Sequence, residues 1–190
     1  AFSNCKNLKG VVIPDSVTSI GRGAFYKCSN LAQINLPKNL TTLDGNAFSQ
    51  CQKLADITLP KGLLSIGNDA FSECAALTQI IIPESVNKIG IAAFNFCSAL
   101  TSVTFRNDGI GNNTLEISHS AFAHCENLTN ITLPAYVTSI DFTIFNGSTN
   151  LKNVNYAGTI AQWNQIKLKS DWKGDAPFTK IVCSDGEVIL

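Results

Sequence analysis

Residues 31–53 read LAQINLPKNLTTLDGNAFSQCQK, and this stretch decides the fold because most of the chain repeats it. From Cys5 to Cys97, cysteines recur at one constant interval along the chain. A single longer interval separates Cys97 from the next cysteine, Cys125. A phenylalanine lies three positions before each of these cysteines and a leucine three positions after it. The six cysteines of this series are Cys5, Cys28, Cys51, Cys74, Cys97 and Cys125. A fixed period of this length is typical of a solenoid.

The pattern within one unit predicts strands. Ile34 and Leu36 alternate with polar residues, and Pro37 rules out a helix through the middle of the unit. A unit of this size cannot enclose its own apolar residues, so neighbouring units must stack and share one core. We therefore expect a strand at residues 33–36 and at each copy, stacked in parallel about 4.8 Å apart. A second short extended segment, residues 18–20 and its copies, would return along the opposite face.

The residue after this second segment is glycine in some units, as at Gly21, Gly67 and Gly90. The same slot holds Asp44 in one unit, and Ser118 and Asp141 in others. The slot therefore does not require a backbone angle that only glycine adopts.

The consensus LxxIxLPxxVxxIGxxAFxxCxx, seen at residues 77–99 as LTQIIIPESVNKIGIAAFNFCSA, resembles the BspA-like or Treponema-type leucine-rich repeat. The resemblance covers residues 1 to about 156. It implies a β-rich solenoid of right-handed parallel coils, each of about 23 residues. It also implies a bacterial surface or secreted protein, with adhesion and partner binding as the function and the cell surface or extracellular space as the location.

The pattern also divides the chain. We expect residues 1–155 to form a solenoid of about seven coils and residues 156–190 to form a small α+β cap on its C-terminal end. Ile160, Trp163 and Ile166 behind Thr159 predict a short capped helix. Residues 184–186, Ser-Asp-Gly, predict the turn of a hairpin.

Five extra residues fall in the segment 106–113, which is rich in Asn, Asp and Gly. The main interpretation is a solvated loop that protrudes from the solenoid. Oxygen ligands are dense enough here for a Ca²⁺ site to be the alternative, although the segment lacks the alternating carboxylates of an EF-hand.

The repeated cysteines predict six reduced, buried thiols, since Cys fills a small apolar slot well. Stacked cysteines about 5 Å apart leave disulfides as the alternative. Zinc is disfavoured, because zinc motifs bring two ligands close together in sequence and no two cysteines here are nearer than one full repeat. His119 and His124 are expected to be solvated surface residues rather than a metal pair.

Composition excludes other classes of function. Fourteen basic and 14 acidic residues are scattered, which argues against nucleic acid as a partner. No apolar run reaches the ~20 residues that span a membrane, so membrane insertion is not expected.

The chain contains no Met and begins within a repeat, which predicts a piece of a longer protein. No nucleotide, hydrolase or metalloprotease motif is present, so we expect no cofactor, no metal and no enzymatic activity.

The strand that follows each leucine should present alternate side chains outward as one polar face. Asp56 is the only acid on it, so a facing carboxylate pair for glycoside chemistry is not available there. The residues predicted to contact a partner are Gln33, Asn35, Asp56, Thr58, Gln79, Ile81, Ser102, Thr104, Asn130 and Thr132. Their hydroxyls and amides suit a protein or a glycan. The alternatives are a structural spacer of a larger surface protein and a carbohydrate-active enzyme on the same scaffold.

Overall fold

The computed structural model describes residues 1–107 and 114–190 of the chain. Within these residues, fifteen strands and one short helix alternate with turns along stacked coils. Coil 2 comprises residues 31–53, coil 3 residues 54–76 and coil 4 residues 77–99. The elements are β1 (Gly10–Val12), β2 (Ser19–Ile20), β3 (Gln33–Asn35), β4 (Thr42–Leu43), β5 (Ser65–Ile66), β6 (Gln79–Ile82), β7 (Lys88–Ile89), β8 (Ser102–Phe105), β9 (Leu115–Ile117), β10 (Asn130–Leu133), β11 (Val137–Ile140), β12 (Asn153–Tyr156), α1 (Ile160–Trp163), β13 (Lys167–Leu168), β14 (Lys180–Cys183) and β15 (Gly186–Ile189).

The pairing register confirms that units stack one repeat apart. Gly10 pairs with Gln33, Gln79 with Ser102 and Asn130 with Asn153, all in parallel. Each pair is separated by exactly one repeat of the sequence, so every side chain lies over its counterpart in the next coil. The β-rich solenoid that the repeat predicts is therefore the observed fold.

The second predicted segment forms the longer ladder. Seven strands pair without interruption in the order β13, β11, β9, β7, β5, β4, β2. Most contribute only two residues, such as Ser65 and Ile66, with the isoleucine buried. This side of the solenoid is held together by one continuous sheet.

The predicted strand ladder on the other side is broken. Its strands form the separate groups β1–β3, β6–β8 and β10–β12–β14–β15. Residues 56–59 of coil 3 form no strand, so the prediction of a strand at every copy is wrong there. Ile57 and Leu59 nevertheless point inward and are buried. The alternating pattern fixes which way side chains point, but it does not fix whether adjacent backbones come close enough to bond.

The core is built from columns of identical residues. Phe25, Phe48, Phe71 and Phe94 stack with ring centroids 5.2–5.5 Å apart and nearly parallel planes. The repeated leucines and cysteines form parallel columns beside them, and all of these are buried from coil 2 onward. Because each residue packs on its own copy, no coil is stable without its neighbours.

The cysteines are free in the structure, and the prediction of six buried thiols is wrong for one of them. Cys28, Cys51, Cys74, Cys97 and Cys125 are buried, but Cys5 is exposed. Cys5 belongs to the first unit of the chain, where only one side of the column is covered by a neighbouring coil.

Two slots in the turn around the phenylalanine adopt the left-handed conformation, and most of the residues in them are not glycine. In coil 2 these are Asn46, with φ 58°, and Gln50, with φ 62°. Nothing in the sequence indicated this, since the same slots hold a variety of side chains in other coils.

The C-terminal part contains the predicted helix and hairpin. Thr159 caps α1, and Gln162 completes a capping box with it. Strands β14 and β15 pair antiparallel across the turn at residues 184 and 185, which confirms the hairpin. Trp172 and Phe178 lie edge-on against Phe145, the last phenylalanine of the column. The division of the chain into a solenoid and a cap at residue 155 stays a prediction.

Candidate binding face

The outward side chains of β1, β3, residues 56–58, β6, β8, β10 and β12 form one surface, here called the binding face. All ten residues predicted to contact a partner are exposed on it. Residues that alternate with them, such as Ile34, Ile80 and Ile131, are buried. The outward placement predicted for these ten residues matches the structure, and their role in binding stays a prediction.

The first break in the ladder opens a groove on the binding face between coils 2 and 3, here called the coil-3 groove. It has a volume of about 640 Å³. Ile34 and Ile57 lie at its floor and are 8% and 5% exposed, whereas Ile80 in coil 4 is 1% exposed. The groove is lined by Gln33, Ile34, Asn35, Leu36, Lys38, Asp56, Ile57, Thr58 and Pro60.

A second groove of about 360 Å³ lies where β8 and β10 do not pair. Ser102, Thr104, Asn130 and Thr132 lie on its two sides. The Tyr136 hydroxyl closes one end by donating a hydrogen bond to the Arg106 carbonyl oxygen, 2.9 Å away. Eight of the ten predicted residues thus line one groove or the other, while Gln79 and Ile81 lie on the strand pair between them.

Charge is sparse on this face. Asp56 is the only acid among its described outward residues. Lys38 at the rim of the coil-3 groove is held by Asp15, with Nζ 3.1 Å from Oδ2. The Lys38 backbone and side chain lower the pKa of the Asp15 carboxyl by hydrogen bonding.

The opposite face carries a charged cluster that sequence reasoning missed. Register places Lys88 beside Glu116, and Ser139 between Glu116 and Lys167. With Lys169 and Asp141, these residues surround a depression of about 320 Å³. The sequence contained the information needed to find this cluster, because its residues occupy corresponding positions of successive units. It was missed because lysines that are far apart along the chain do not form a visible run of charge.

The two histidines differ from each other. His119 is exposed, as predicted, and its Nδ1 lies 3.4 Å from the Thr143 hydroxyl. His124 is half-buried and stacks on Phe96 with ring centroids 4.2 Å apart, so it is less exposed than the solvated surface residue expected from the sequence. No group of three or more His, Cys, Asp or Glu side chains able to hold a metal occurs within residues 1–107 and 114–190.

The loop predicted at residues 106–113, with a calcium site as the alternative interpretation, is only partly described. Arg106 and Asn107 are exposed, and residues 108–113 lie outside the described residues. The hypothesis of a calcium site there stays a prediction.

The repeat matches a known family along most of the chain. The model of the BspA type leucine rich repeat region matches residues 1–116 and 115–169 in six copies. The chain belongs to this BspA-type leucine-rich-repeat family. Its fold is therefore that of a repeat-based protein-interaction module, built on the same unit that the spacing of Phe, Cys and Leu reveals.

Solved bacterial structures share the BspA-type fold. The Treponema pallidum leucine-rich repeat protein is 35% identical, over 80% of this chain and 68% of that one, with a TM-score of 0.69. A leucine-rich repeat protein from Bacteroides ovatus is 26% identical over 97% of this chain, with a TM-score of 0.59. The pneumococcal vaccine antigen PcpA is 28% identical over 78% of this chain, with a TM-score of 0.52.

The BspA-type chain spans only part of each of these proteins, namely 57% of the Bacteroides ovatus protein, 68% of the Treponema pallidum protein and 30% of PcpA. No curated protein matches it. None of the helices in residues 1–107 and 114–190 is long and apolar enough to cross a membrane.

Proposed function

We propose that this BspA-type chain is a non-enzymatic binding or adhesion module, displayed on a bacterial surface or secreted, that recognises a protein or a glycan through the binding face. One observation carries the proposal. Two breaks in the strand ladder, between coils 2 and 3 and between β8 and β10, lie on the face that the sequence marks as polar and outward, and both open into grooves lined by predicted residues. Grooves that combine an apolar floor with convergent polar groups are the usual form of a binding site.

The chemistry of the binding face also supports this class of partner. Gln, Asn, Ser and Thr side chains supply donors and acceptors with little charge. Such a surface suits the main chain of a protein or the hydroxyls of a glycan, and it offers no basic track for a phosphate polymer. Nucleic acid is therefore not a proposed partner.

The test uses four substitutions on the binding face. A variant with Gln33→Lys, Asn35→Lys, Gln79→Lys and Thr104→Lys should capture less material from host extracellular matrix and mucus than the parent chain. The matched control places the same four charges at Ser16, Ser19, Gln52 and Ala75, which are exposed outside the binding face. Circular dichroism and thermal melting of both variants report whether the solenoid remains folded.

Two outcomes would oppose the proposal. Equal capture by the parent chain and the binding-face variant would favour a structural spacer that displays another part of a larger protein. The chain would be an enzyme instead if it converted members of a glycan panel and if replacing a single Asp or Glu abolished that turnover.

A further inference from the structure

Strand β15 is the outer edge of the sheet that contains β10 and β12 of the binding face. The sheet runs in the order β10, β12, β14, β15, so β14 covers one side of β15 and no strand of the described residues covers the other. The inner strands of the solenoid have a coil on each side, whereas β15 has a neighbour on one side only. It is therefore a free strand edge at the end of the stack.

The register of the hairpin shows which main-chain groups of β15 lie at this edge. Leu190 N–H donates to the Thr179 carbonyl oxygen at 2.9 Å. Bonded and non-bonded pairs alternate along an antiparallel ladder, so Val188 also directs its groups at β14, while Glu187 and Ile189 direct theirs away from it. In the described part of the chain, these outward groups of Glu187 and Ile189 have no hydrogen-bond partner. The edge thus presents two donors and two acceptors.

Strand β15 lacks the features that usually block pairing at an edge. Ile189 is 73% exposed, and the strand contains neither proline nor lysine. Its single charged residue, Glu187, is neutralised by Lys180 of β14, with Nζ 2.7 Å from Oε1. Proline, lysine and unpaired charge are the means by which proteins prevent a free edge from pairing with another chain. The edge is therefore open to a further strand.

A second copy of β15 matches the groups at this edge. When two copies lie antiparallel with Val188 opposite its own counterpart, Glu187 of each copy lies opposite Ile189 of the other. The outward donors and acceptors of both copies then form four hydrogen bonds. A shift of two residues either way sets Glu187 against Glu187 or Ile189 against Ile189, which halves the bonds between the two strands, and the first of these also opposes like charges. One register is therefore favoured.

We propose that two copies of this chain join end to end through β15, paired antiparallel about Val188. The two-fold axis is perpendicular to the sheet, so outward side chains of both copies lie on the same side and the two binding faces form one continuous surface. The Ile189 side chains lie diagonally across the axis, within reach of each other, which covers apolar surface that the single chain exposes. The inference goes beyond the proposed function and does not depend on it, because self-association is measured without a ligand.

The first experiment follows the dimer of the full chain by sedimentation velocity between about 1 µM and about 1 mM. Ile189→Glu opposes like charges in both symmetry-related pairs with Glu187 and should raise the dissociation constant about tenfold or more. Ile189→Lys places opposite charges there and should change the constant by less than about threefold. Val12→Glu, at an equally exposed residue of β1 at the other end of the stack, is the matched control and should have no effect.

Folding of the variants is checked by thermal melting. Ile189 lies opposite Lys180 within the hairpin, so Ile189→Glu adds a favourable charge pair to the single chain and should not destabilise it. A loss of the dimer in this variant therefore reports on contact between copies.

A second experiment locates the axis by crosslinking. In a Cys5→Ser background, Val188→Cys should form a disulfide between copies on mild oxidation, because the two Cα atoms would lie about 4.5 Å apart. Glu187→Cys is the control, since its two copies lie diagonally, about 7–8 Å apart, and should crosslink far less.

Four results would overturn the inference and leave the proposed function untouched. They are a chain that stays monomeric up to about 1 mM, equal loss of the dimer in Ile189→Glu and Ile189→Lys, loss of the dimer in Val12→Glu alone, and equal crosslinking at the two cysteine positions.

Discussion

The Cys74 thiol donates a hydrogen bond to the carbonyl oxygen of Phe48 in the preceding coil, with Sγ 3.2 Å from the oxygen. The same bond recurs from Cys51 to Phe25 and from Cys97 to Phe71, each at 3.2 Å. In the last unit of the series, Ser148 replaces cysteine and donates to Phe122 at 2.9 Å. The cysteine column thus fills space and adds a second donor to a buried carbonyl oxygen that already accepts a backbone N–H, as Phe48 does from Cys51 at 3.1 Å.

Burial should protect these thiols from modification. Native chain treated with iodoacetamide should gain one adduct at Cys5, the exposed cysteine of the repeat series, and all seven cysteines should react after denaturation. Intact mass and peptide mapping would count the adducts. Fewer than seven adducts in denaturant without reductant, rising to seven after reduction, would reveal a disulfide and contradict the free-thiol structure.

The same thiols should make stability depend on alkaline pH. Burial raises the pKa of the Cys51 and Cys125 thiols to about 12 from an ordinary value of 9.0. Between these values the unfolded chain loses protons that the native chain keeps, so the free energy of unfolding is highest below pH 9 and falls as the pH rises toward 12.

Urea unfolding at about pH 8 and about pH 10.5 measures this change. Cys51→Ser removes one titrating group and keeps a donor for the Phe25 carbonyl, so this variant should lose less stability over the same interval. An identical loss in both chains would show that the buried thiol does not cause the dependence.

The phenylalanine column offers a matched pair of cavity mutations. Phe71 is fully buried between two rings, whereas Phe2 is 40% exposed and stacks on one. Phe71→Ala should destabilise the chain by about 3–5 kcal/mol. Phe2→Ala should cost less than half of that. Equal losses of stability in denaturant titrations would contradict the expectation that a ring packed between two neighbours contributes more than a ring packed on one.

Two glycines in the same slot of the repeat should respond differently to a methyl group. A Cβ at Gly67 would lie 2.5 Å from the Asp44 carbonyl carbon, but a Cβ at Gly21 would meet nothing within 4 Å. We expect Gly67→Ala to destabilise the chain by about 1–3 kcal/mol. Gly21→Ala should be neutral or stabilising by up to about 1 kcal/mol.

Thermal melts of both glycine variants decide this prediction. Equal effects would show that the slot is governed by backbone conformation alone. The sequence indicated correctly that this slot needs no glycine-only angle, because Asp44 fills it in one coil. The close approach of coil 2 to Gly67 is a property of the stacked coils and leaves no mark on the local pattern.

The sequence by itself determined the repeat unit, the parallel stacking and the direction of the side chains in the segment that follows each repeated leucine. Ile34, Phe48 and Cys51 point inward and Gln33 and Asn35 outward because a strand alternates and because each apolar residue can be covered only by its own copy.

Only the tertiary structure decided where the ladder opens. Hydrogen bonding at residues 56–59 depends on the relative position of two coil backbones, and that position is set by distant contacts such as the Phe25–Phe48 stack and the β4–β5 pair. Lys88 and Lys167 meet near one depression for the same reason. Local patterns fix the orientation of a side chain, while distances between coils depend on the whole assembled solenoid.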